Sequence, residues 1–479
     1  MSIIIKAQET DLSLRLYNSY EHYKEKSLTK KRFRHGDLAP LISKLKRRKL
    51  YSVKKLGSSI ENRDINLISA GSGKTKVLLW SQMHGDESTA TMALFDVINF
   101  LDTSDGFDEL RGRILQNLTL YFIPMLNPDG AERFQRRNAL DIDLNRDAIS
   151  LQCPESAILK DIRDSLNADF GFNLHDQSPR YSVGSDFRSA ALSFLAPAFS
   201  YDKSVNDVRE KAMKLIAQLY RRMSEFIPGH MAKYSDEFEP RAFGDNIQRW
   251  GTSTILIETG GWCNDYEKQF LRKLNFIALL TAFNSIAQGD YNNFSIDEYY
   301  NIPNNDKYIF DLILRNLTLT LQGKTYKIDL GINRYETNTT DSLYFKSIVE
   351  DMGDLSTFHG LEEYECYGME VEPGKTDSQV FASLQELSGL NLEEFLSRGI
   401  TSIQVLKSAI QEPYTKLPIN VKAVEQNTGQ VVELNEVRVN EPANLIIRDK
   451  GKVRFVIING FLYDLRTSTS NVYNGLVVE

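Results

Sequence analysis

The sequence predicts an α/β fold, in which a mostly parallel mixed sheet with helices on both faces is followed by a smaller β-rich domain. From Thr75 onward, short apolar runs alternate with amphipathic segments of helical length, which is typical of a sheet covered by helices. Near residue 300 this alternation gives way to closely spaced strands. A chain of 479 residues is long enough for several domains with separate cores. We expect a basic helical segment at residues 1–50, the α/β domain at residues 51–300 and the β-rich domain at residues 301–479.

Each element of the first domain has its own signal. Runs that are apolar on both faces predict strands at residues 76–83, 118–124, 168–174 and 252–257. Apolar residues spaced three and four apart predict helices at residues 94–101 and 205–219. A last helix is expected at residues 266–288, because Gly289 follows as a stop, and residues 290–305 are predicted to be a linker. Residues 70–75 have the wrong glycine spacing for a phosphate-binding loop and are predicted to form a hairpin turn.

The second domain is predicted to consist mainly of strands. They are expected at residues 311–321, 325–330, 431–439 and 452–458, with one helical stretch at residues 378–409. Residues 311–316 with 329–332, and residues 441–447 with 456–460, resemble the β-sandwich that flanks the barrel of metal-dependent amidohydrolases. The barrel and any His-x-His motif are absent from the sequence. We therefore expect a scaffold, a lid or a contact through which the chain forms a homo-oligomer.

Charge and composition exclude several classes of protein. The formal net charge of −7 argues against a chain built to bind nucleic acid, and the basic stretch from Lys24 to Lys55 is expected to be a solvated helix or arm. No apolar run is long enough to span a membrane, and no signal peptide is visible. Three cysteines are too few for a disulfide framework. We expect a cytoplasmic protein, although an exported protein whose signal had been removed would look the same.

Reactive side chains occur where three of the predicted strands end. His84 and Glu87 follow the first strand and lie three residues apart at the start of a helix. His175 ends the third strand, and Glu258 ends the fourth. Ligands of open α/β sheets bind beyond the carboxyl ends of the strands, so we expect these side chains to lie close together.

Two histidines and one glutamate suit zinc and leave a fourth position open for water, as catalytic zinc sites require. The alternative is a separate structural role for each side chain. An unpaired carboxylate at the end of an apolar strand is costly, which disfavours that alternative. The sequence therefore predicts one zinc ion as cofactor.

Six short motifs follow one another along the first domain. They are His-Gly-Asp-Glu at residues 84–87, Asn-Pro-Asp-Gly at 127–130, Arg-Arg-Asn-Ala at 136–139, Asp-Leu-Asn-Arg at 143–146, His175, and Ile-Glu-Thr-Gly-Gly at 257–261. In this order they resemble the funnelin-type zinc metallocarboxypeptidase family, which includes the pancreatic carboxypeptidases. The resemblance covers about residues 50–290, some half of the chain.

The resemblance implies a catalytic role for five residues. Zinc would be held by His84, Glu87 and His175, with Glu258 as general base and general acid. Arg136 would stabilise the oxyanion that forms when the amide is attacked.

The resemblance also implies residues that orient the site and bind substrate. Asp143 corresponds to the carboxylate that orients the first zinc histidine. Asn145 and Arg146 would hold the substrate's terminal carboxylate, both of whose oxygens a guanidinium can pair. Tyr234 is a candidate for the tyrosine that caps the substrate in many members, with a plain surface tyrosine as the alternative. The side-chain pocket is expected within residues 241–249.

The resemblance implies a zinc-dependent metallocarboxypeptidase that hydrolyses the C-terminal bond of peptides with a free terminal carboxylate. A zinc-dependent N-acyl amino acid deacylase of the same fold is the nearest alternative, since such relatives also use an Asn-Arg pair. A non-catalytic peptide-binding protein is a further alternative, although every expected ligand, base and oxyanion donor is present in the sequence.

Overall fold

The structure is a computed structural model that describes residues 12–337, 343–387, 389–425, 436–467 and 475–478. The chain divides into two compact units, the first ending at Lys307 and the second beginning at Tyr308. The sequence places this boundary near residue 300.

The first unit is built on an eight-stranded mixed sheet, and a separate two-stranded ribbon joins two short strands. Its strands are β1 (Ser52–Ser58), β2 (Asp64–Gly71), β3 (Thr75–Trp80), β4 (Leu118–Ile123), β5 (Phe170–Asp176), β6 (Ser182–Val183), β7 (Leu192–Leu195), β8 (Met231–Lys233), β9 (Ser253–Thr259) and β10 (Asn305–Asp306). The order in the large sheet is β1-β2-β4-β3-β5-β9-β7-β8, and β4, β3, β5 and β9 are parallel to one another. These four central strands are the four predicted from apolar runs.

Helices cover both faces of this sheet, as predicted. They are α1 (residues 12–19), α2 (His35–Leu45), α3 (Thr89–Leu101), α4 (Asp108–Asn117), α5 (Pro128–Arg133), α6 (Pro154–Leu166), α7 (Asp207–Met223), α8 (Phe243–Arg249), α9 (Gln269–Gln288) and α10 (Ile296–Tyr300). Side chains of β3 alternate between the faces: Val77 and Leu79 pack in the core that contains α3, α7 and α9, whereas Leu78 and Trp80 pack with α6 and α8. None of the described helices combines the length and apolar character needed to cross a membrane.

Two predictions for the first unit are wrong. Residues 70–75 do not form a hairpin, because β4 lies between β2 and β3 in the sheet. Residues 290–305 are not an open linker: a 3₁₀ helix at Asp290–Asn293 and the helix α10 fold back, and Tyr291, Phe294 and Tyr299 are buried in the main core. The linker is predicted from the Asp and Asn residues of this stretch. Burial of its aromatic side chains in the core favours a folded conformation instead.

The basic N-terminal segment packs against the first unit instead of extending from it. Tyr20 and Tyr23 are buried in the main core. The Tyr20 hydroxyl donates to Asp96 at 2.9 Å, and Arg272 donates to the same carboxylate from α9 at 2.5 Å and 2.7 Å. The ion pair between Asp96 and Arg272 is fully buried and connects α3 to α9, and the Tyr20 hydrogen bond joins the segment to it.

The second unit is β-rich, and its described strands form two sheets. Its strands are β11 (Ile309–Leu321), β12 (Lys324–Glu336), β13 (Phe345–Gly353), β14 (His359–Glu365), β15 (Met369–Pro373), β16 (Lys375–Phe381), β17 (Ile400–Leu406), β18 (Tyr414–Thr415), β19 (Asn420–Val424), β20 (Leu445–Asp449), β21 (Lys452–Ile458), β22 (Phe461–Asp464) and β23 (Gly475–Val478). One sheet has the order β13-β12-β11-β15-β20-β21-β22, with β14 also paired to β11, and the other has the order β16-β17-β19-β23-β18.

The helical stretch predicted at residues 378–409 is wrong. Among the described residues of this stretch, which leave out residue 388, α11 (Leu384–Leu387) and α12 (Leu392–Ser397) are the α-helices, and they lie between strands β16 and β17. Gly399 has a φ of 84°, which ends the helix, and the β-branched residues that follow favour a strand. Of the strand predicted at residues 431–439, residues 431–435 lie outside the described residues, and residues 436–439 are not in a strand.

Candidate active site

The candidate site lies where the parallel strands of the first unit end. His84 and Glu87 lie in the turn between β3 and α3, and His175 and Glu258 are direct partners in the register of β5 and β9. The side chains of His84 and His175 are 2% exposed, and that of Glu87 is 11% exposed. The structure thus brings together four residues that are far apart in the sequence.

Glu87 lies between the two imidazoles. Its Oε1 is 2.7 Å from Nδ1 of His84, and its Oε2 is 2.7 Å from Nδ1 of His175. One ligand atom from each residue lies within 4.8 Å of the others. Two nitrogens and one carboxylate in this arrangement fit a zinc ion, because they are the donor set that catalytic zinc sites use.

Asp143 fixes the orientation of His84. Its Oδ1 is 3.1 Å from Nε2 of His84 and accepts the backbone N–H of Asn145 at 2.9 Å. A proton on Nε2, donated to Asp143, would leave the lone pair of Nδ1 for a metal ion shared with Glu87, which is the tautomer a metal ligand needs. Asp143 thus contacts the ring nitrogen of His84 that Glu87 does not contact.

Burial and neighbouring charges shift the pKa values of these groups in different directions. Burial opposes the charged forms of both His84 and Glu87, but their attraction outweighs it, raising the pKa of His84 to about 9 and lowering that of Glu87. Burial lowers the pKa of His175. Burial and the negative charge of Glu87 raise the pKa of Glu258 well above its ordinary value. The two glutamates therefore have opposite tendencies to bind a proton.

Arg136 lies at the edge of this cluster. Its Nε donates to Asp143 Oδ2 at 3.1 Å, and its Nη1 is 3.3 Å from Oε1 of Glu87. The side chain is 43% exposed, so its guanidinium lies beside the buried carboxylates and is also accessible to a ligand.

The His-Gly-Asp-Glu and Asn-Pro-Asp-Gly motifs are packed directly against each other. A Cβ atom on Gly85 would lie 2.0 Å from the carbonyl carbon of Gly130, and a Cβ atom on Gly130 would lie 2.5 Å from Nδ2 of Asn127. Asn127 donates to the Met83 carbonyl at 3.2 Å and accepts the N–H of Gly130 at 2.9 Å. The Asn-Pro-Asp-Gly motif therefore supports the turn that carries His84 and Glu87.

Asn145 and Arg146 lie in a 3₁₀ helix, Leu144–Arg146, whose N-cap residue is Asp143. The Oδ1 of Asn145 accepts the backbone N–H of Phe243 at 2.9 Å, which leaves the Nδ2 amide as the group that can donate to a ligand. Arg146 donates from Nη1 to the Asn145 carbonyl at 2.7 Å, and its side chain is 38% exposed.

Tyr234 follows β8 and is half-buried. Its N–H donates to the Phe194 carbonyl at 2.9 Å, and its ring contacts Tyr181 at a centroid distance of 6.1 Å. Burial, and after it the negative charge of Glu258, raise the pKa of its hydroxyl. The hydroxyl therefore stays protonated and can donate a hydrogen bond.

Residues 241–249, the stretch predicted to form the side-chain pocket, are partly buried in the core and partly exposed. Phe243 packs in the core beside Trp80, whereas Arg249 is exposed at the end of α8. Sequence reasoning missed Ser59 and Arg63, which hold the buried carboxylate of Asp129 at 2.7 Å and 2.6 Å. Some seventy residues separate them from Asp129, so no local pattern could have revealed these contacts.

Part of this unit is similar to a known protein family. Residues 41–177 match the zinc carboxypeptidase family, and this range includes His84, Glu87 and His175 but ends before Glu258. The resemblance predicted from the motifs is confirmed over that range.

Individual relatives are distant. Carboxypeptidase SOL1 of Arabidopsis thaliana is 34% identical over 100 residues, which are 18% of this chain and 20% of that protein. A probable carboxypeptidase 2 of Arthroderma benhamiae is 23% identical over 158 residues, 32% of this chain and 28% of that protein. The chain thus spans less than a third of the length of these relatives. A putative carboxypeptidase structure from Burkholderia mallei aligns with a TM-score of 0.43 at 18% identity, covering 53% of this chain and 68% of that one.

Proposed function

We propose that this chain is a zinc-dependent metallocarboxypeptidase that hydrolyses the C-terminal peptide bond of peptides. The observation that carries the proposal is the placement of Glu87 between the Nδ1 atoms of His84 and His175, with Glu258 beside His175 on the next strand. A zinc ion held by the first three residues would supply Lewis acidity, which polarises a carbonyl group and lowers the pKa of water.

Glu258 is proposed to carry the proton. Its raised pKa suits a group that accepts a proton from the attacking water and returns it to the leaving amine. Arg136 is exposed enough to donate hydrogen bonds to the oxyanion while it remains tied to Asp143. Neither role requires a covalent intermediate.

Asn145 and Arg146 are proposed to select the C-terminal bond. The amide Nδ2 of Asn145 and the guanidinium of Arg146 offer donors that match a carboxylate. Tyr234 is proposed to close over the bound substrate from the side of Glu258. A peptide amide lacks the terminal charge and should be a poor substrate.

The test combines zinc analysis of the purified protein with a screen for release of C-terminal residues from peptides. Glu258→Gln should keep its zinc and lose about 10²- to 10⁴-fold in turnover, because it cannot accept a proton. Glu109→Gln makes the same substitution on an exposed helix and should retain activity. Substantial turnover by the Glu258→Gln variant would contradict the role of this residue.

An N-acyl amino acid panel, run in parallel, tests the other functions. Cleavage of acyl amino acids without cleavage of peptides would indicate a deacylase. A zinc-containing protein that is inert on both panels would indicate a peptide-binding protein.

A further inference from the structure

The guanidinium of Arg146 already contacts a carboxylate of this chain. Its Nε lies 3.3 Å from Oε2 of Glu239. Glu239 is also bound by Arg241. The Nε of Arg241 donates to Oε1 of Glu239 and its Nη2 donates to Oε2, both at 3.0 Å. Glu239 therefore bridges two arginines, one of which we propose as the binding group for the terminal carboxylate of the substrate.

The backbone holds this bridge in place. The Glu239 carbonyl accepts the N–H of Ala242 at 2.9 Å, and the Arg241 carbonyl accepts the N–H of Ala148 at 3.1 Å. The N–H of Glu239 donates to Oδ1 of Asp245 in α8 at 3.2 Å. Glu239 is thus fixed to the helix that follows it, and Arg241 is fixed to the segment that follows Arg146.

We propose that Glu239 is a specificity-determining residue that occupies Arg146 in the free protein and releases it to the terminal carboxylate of the substrate. This inference rests on the proposed function of Arg146. The exchange leaves no charge unpaired, because Arg241 keeps both of its hydrogen bonds to Glu239 after Arg146 has been released.

The ion pair between Arg146 and Glu239 makes substrate binding depend on a terminal carboxylate. A ligand with a neutral end cannot replace Glu239 on the guanidinium, whereas a carboxylate can. Arg146 and Glu239 are 38% and 30% exposed, so the competing contact is that of a partly solvated ion pair. Such a pair should weaken carboxylate binding by roughly two- to fivefold.

The first experiment measures KM and kcat for peptides with a free C-terminus. Glu239→Gln should lower KM by about two- to fivefold, with the change falling on KM and not on kcat. Glu237→Gln is the matched control, because it removes the same charge from the same segment at a side chain that is 80% exposed and pairs with Lys203. A rise in KM for Glu239→Gln would overturn the inference, since it would mean that Glu239 holds Arg146 in its binding position.

The second experiment measures binding without turnover. Calorimetric titration with 3-phenylpropanoate should give tighter binding to the Glu239→Gln protein than to the wild type, and 3-phenylpropanol should bind both equally. Equal carboxylate affinity would overturn this inference and leave the peptidase proposal intact. Tighter carboxylate binding by a protein that cleaves no peptide would contradict the peptidase proposal alone.

A double-mutant cycle that combines Arg241→Gln with Glu239→Gln tests whether Arg241 affects KM through Glu239 or by itself. If Arg241 acts by holding Glu239, its loss should raise KM when Glu239 is present and change it little in the Glu239→Gln background. An equal rise in both backgrounds would show that Arg241 itself binds the substrate and would refute its proposed action through Glu239.

Discussion

Replacing Gly85 by alanine should lower the affinity for zinc strongly, while lowering the free energy of unfolding only moderately. The added Cβ would lie 2.0 Å from the carbonyl carbon of Gly130 and 2.2 Å from the nitrogen of Ala131. Carbon atoms in ordinary contact are about 3.5–4.0 Å apart, so the two backbones must separate by roughly 1.5 Å. The added Cβ is attached directly to the Gly85 backbone and faces backbone atoms of Gly130 and Ala131. No flexible side chain can therefore absorb the shift.

This separation acts on the turn between two proposed zinc ligands, His84 and Glu87. Metal–ligand distances tolerate deviations of only about 0.2 Å. We expect zinc affinity to fall by at least the roughly 10- to 100-fold that loss of a supporting residue costs. Overpacking should also lower the free energy of unfolding by about 1–3 kcal/mol.

Competition with a chelator measures zinc affinity, and urea unfolding measures stability. Gly112→Ala is the control, because that glycine lies within α4 and the nearest atom to its added Cβ is the flexible Gln116 Nε2 at 3.9 Å. This control should bind zinc normally and be more stable by up to about 1 kcal/mol. Zinc affinity equal to that of the wild type in Gly85→Ala would refute the steric argument.

Two further predictions concern the stability of the first unit. Arg272→Met should lower the free energy of unfolding by about 3–5 kcal/mol, because it leaves the buried charge of Asp96 without an opposite charge. The control Lys55→Met breaks an exposed ion pair and should cost less than about 1 kcal/mol. Equal losses of stability in urea unfolding would contradict this prediction. Burial opposes ionisation of Asp105, but hydrogen bonds, above all from Arg111, outweigh it and lower its pKa to about 2. The folded-state pKa thus lies below the unfolded value of about 3.9, so this contribution is present above about pH 4 and is lost as the pH falls toward 2. The stability gap between wild type and Asp105→Asn should therefore be larger at pH 5 than at pH 2.5, and an equal gap would contradict the assignment.

The central strands could be predicted from the sequence because they are buried on both faces. β3, β4, β5 and β9 appear as nearly continuous apolar runs, since helices cover the sheet on either side. The strands at one edge of the sheet carry no such signal: β7 has four residues and β8 has three. Strands this short look like any other apolar cluster in the sequence.

The location of the site could be predicted for a related reason, but its charge network could not. Parallel strands bring their carboxyl ends to one edge, so the positions of His175 and Glu258 follow once the strands are known. The register that pairs these two residues directly, and the bridge from Arg146 through Glu239 to Arg241, depend on packing between distant segments. No spacing rule contains that information.

The two buried glutamates of the site show how environment can give one side chain type two roles. Glu87 touches two imidazoles, and their attraction favours its ionised form despite burial. Burial and the charge of Glu87 both disfavour ionisation of Glu258. Paired titratable groups whose pKa values are pushed apart in this way are suited to different tasks, one to hold a cation and the other to exchange a proton. The proposed roles, Glu87 as metal ligand and Glu258 as base, are therefore the ones that agree with the imidazoles neutralising Glu87 and not Glu258.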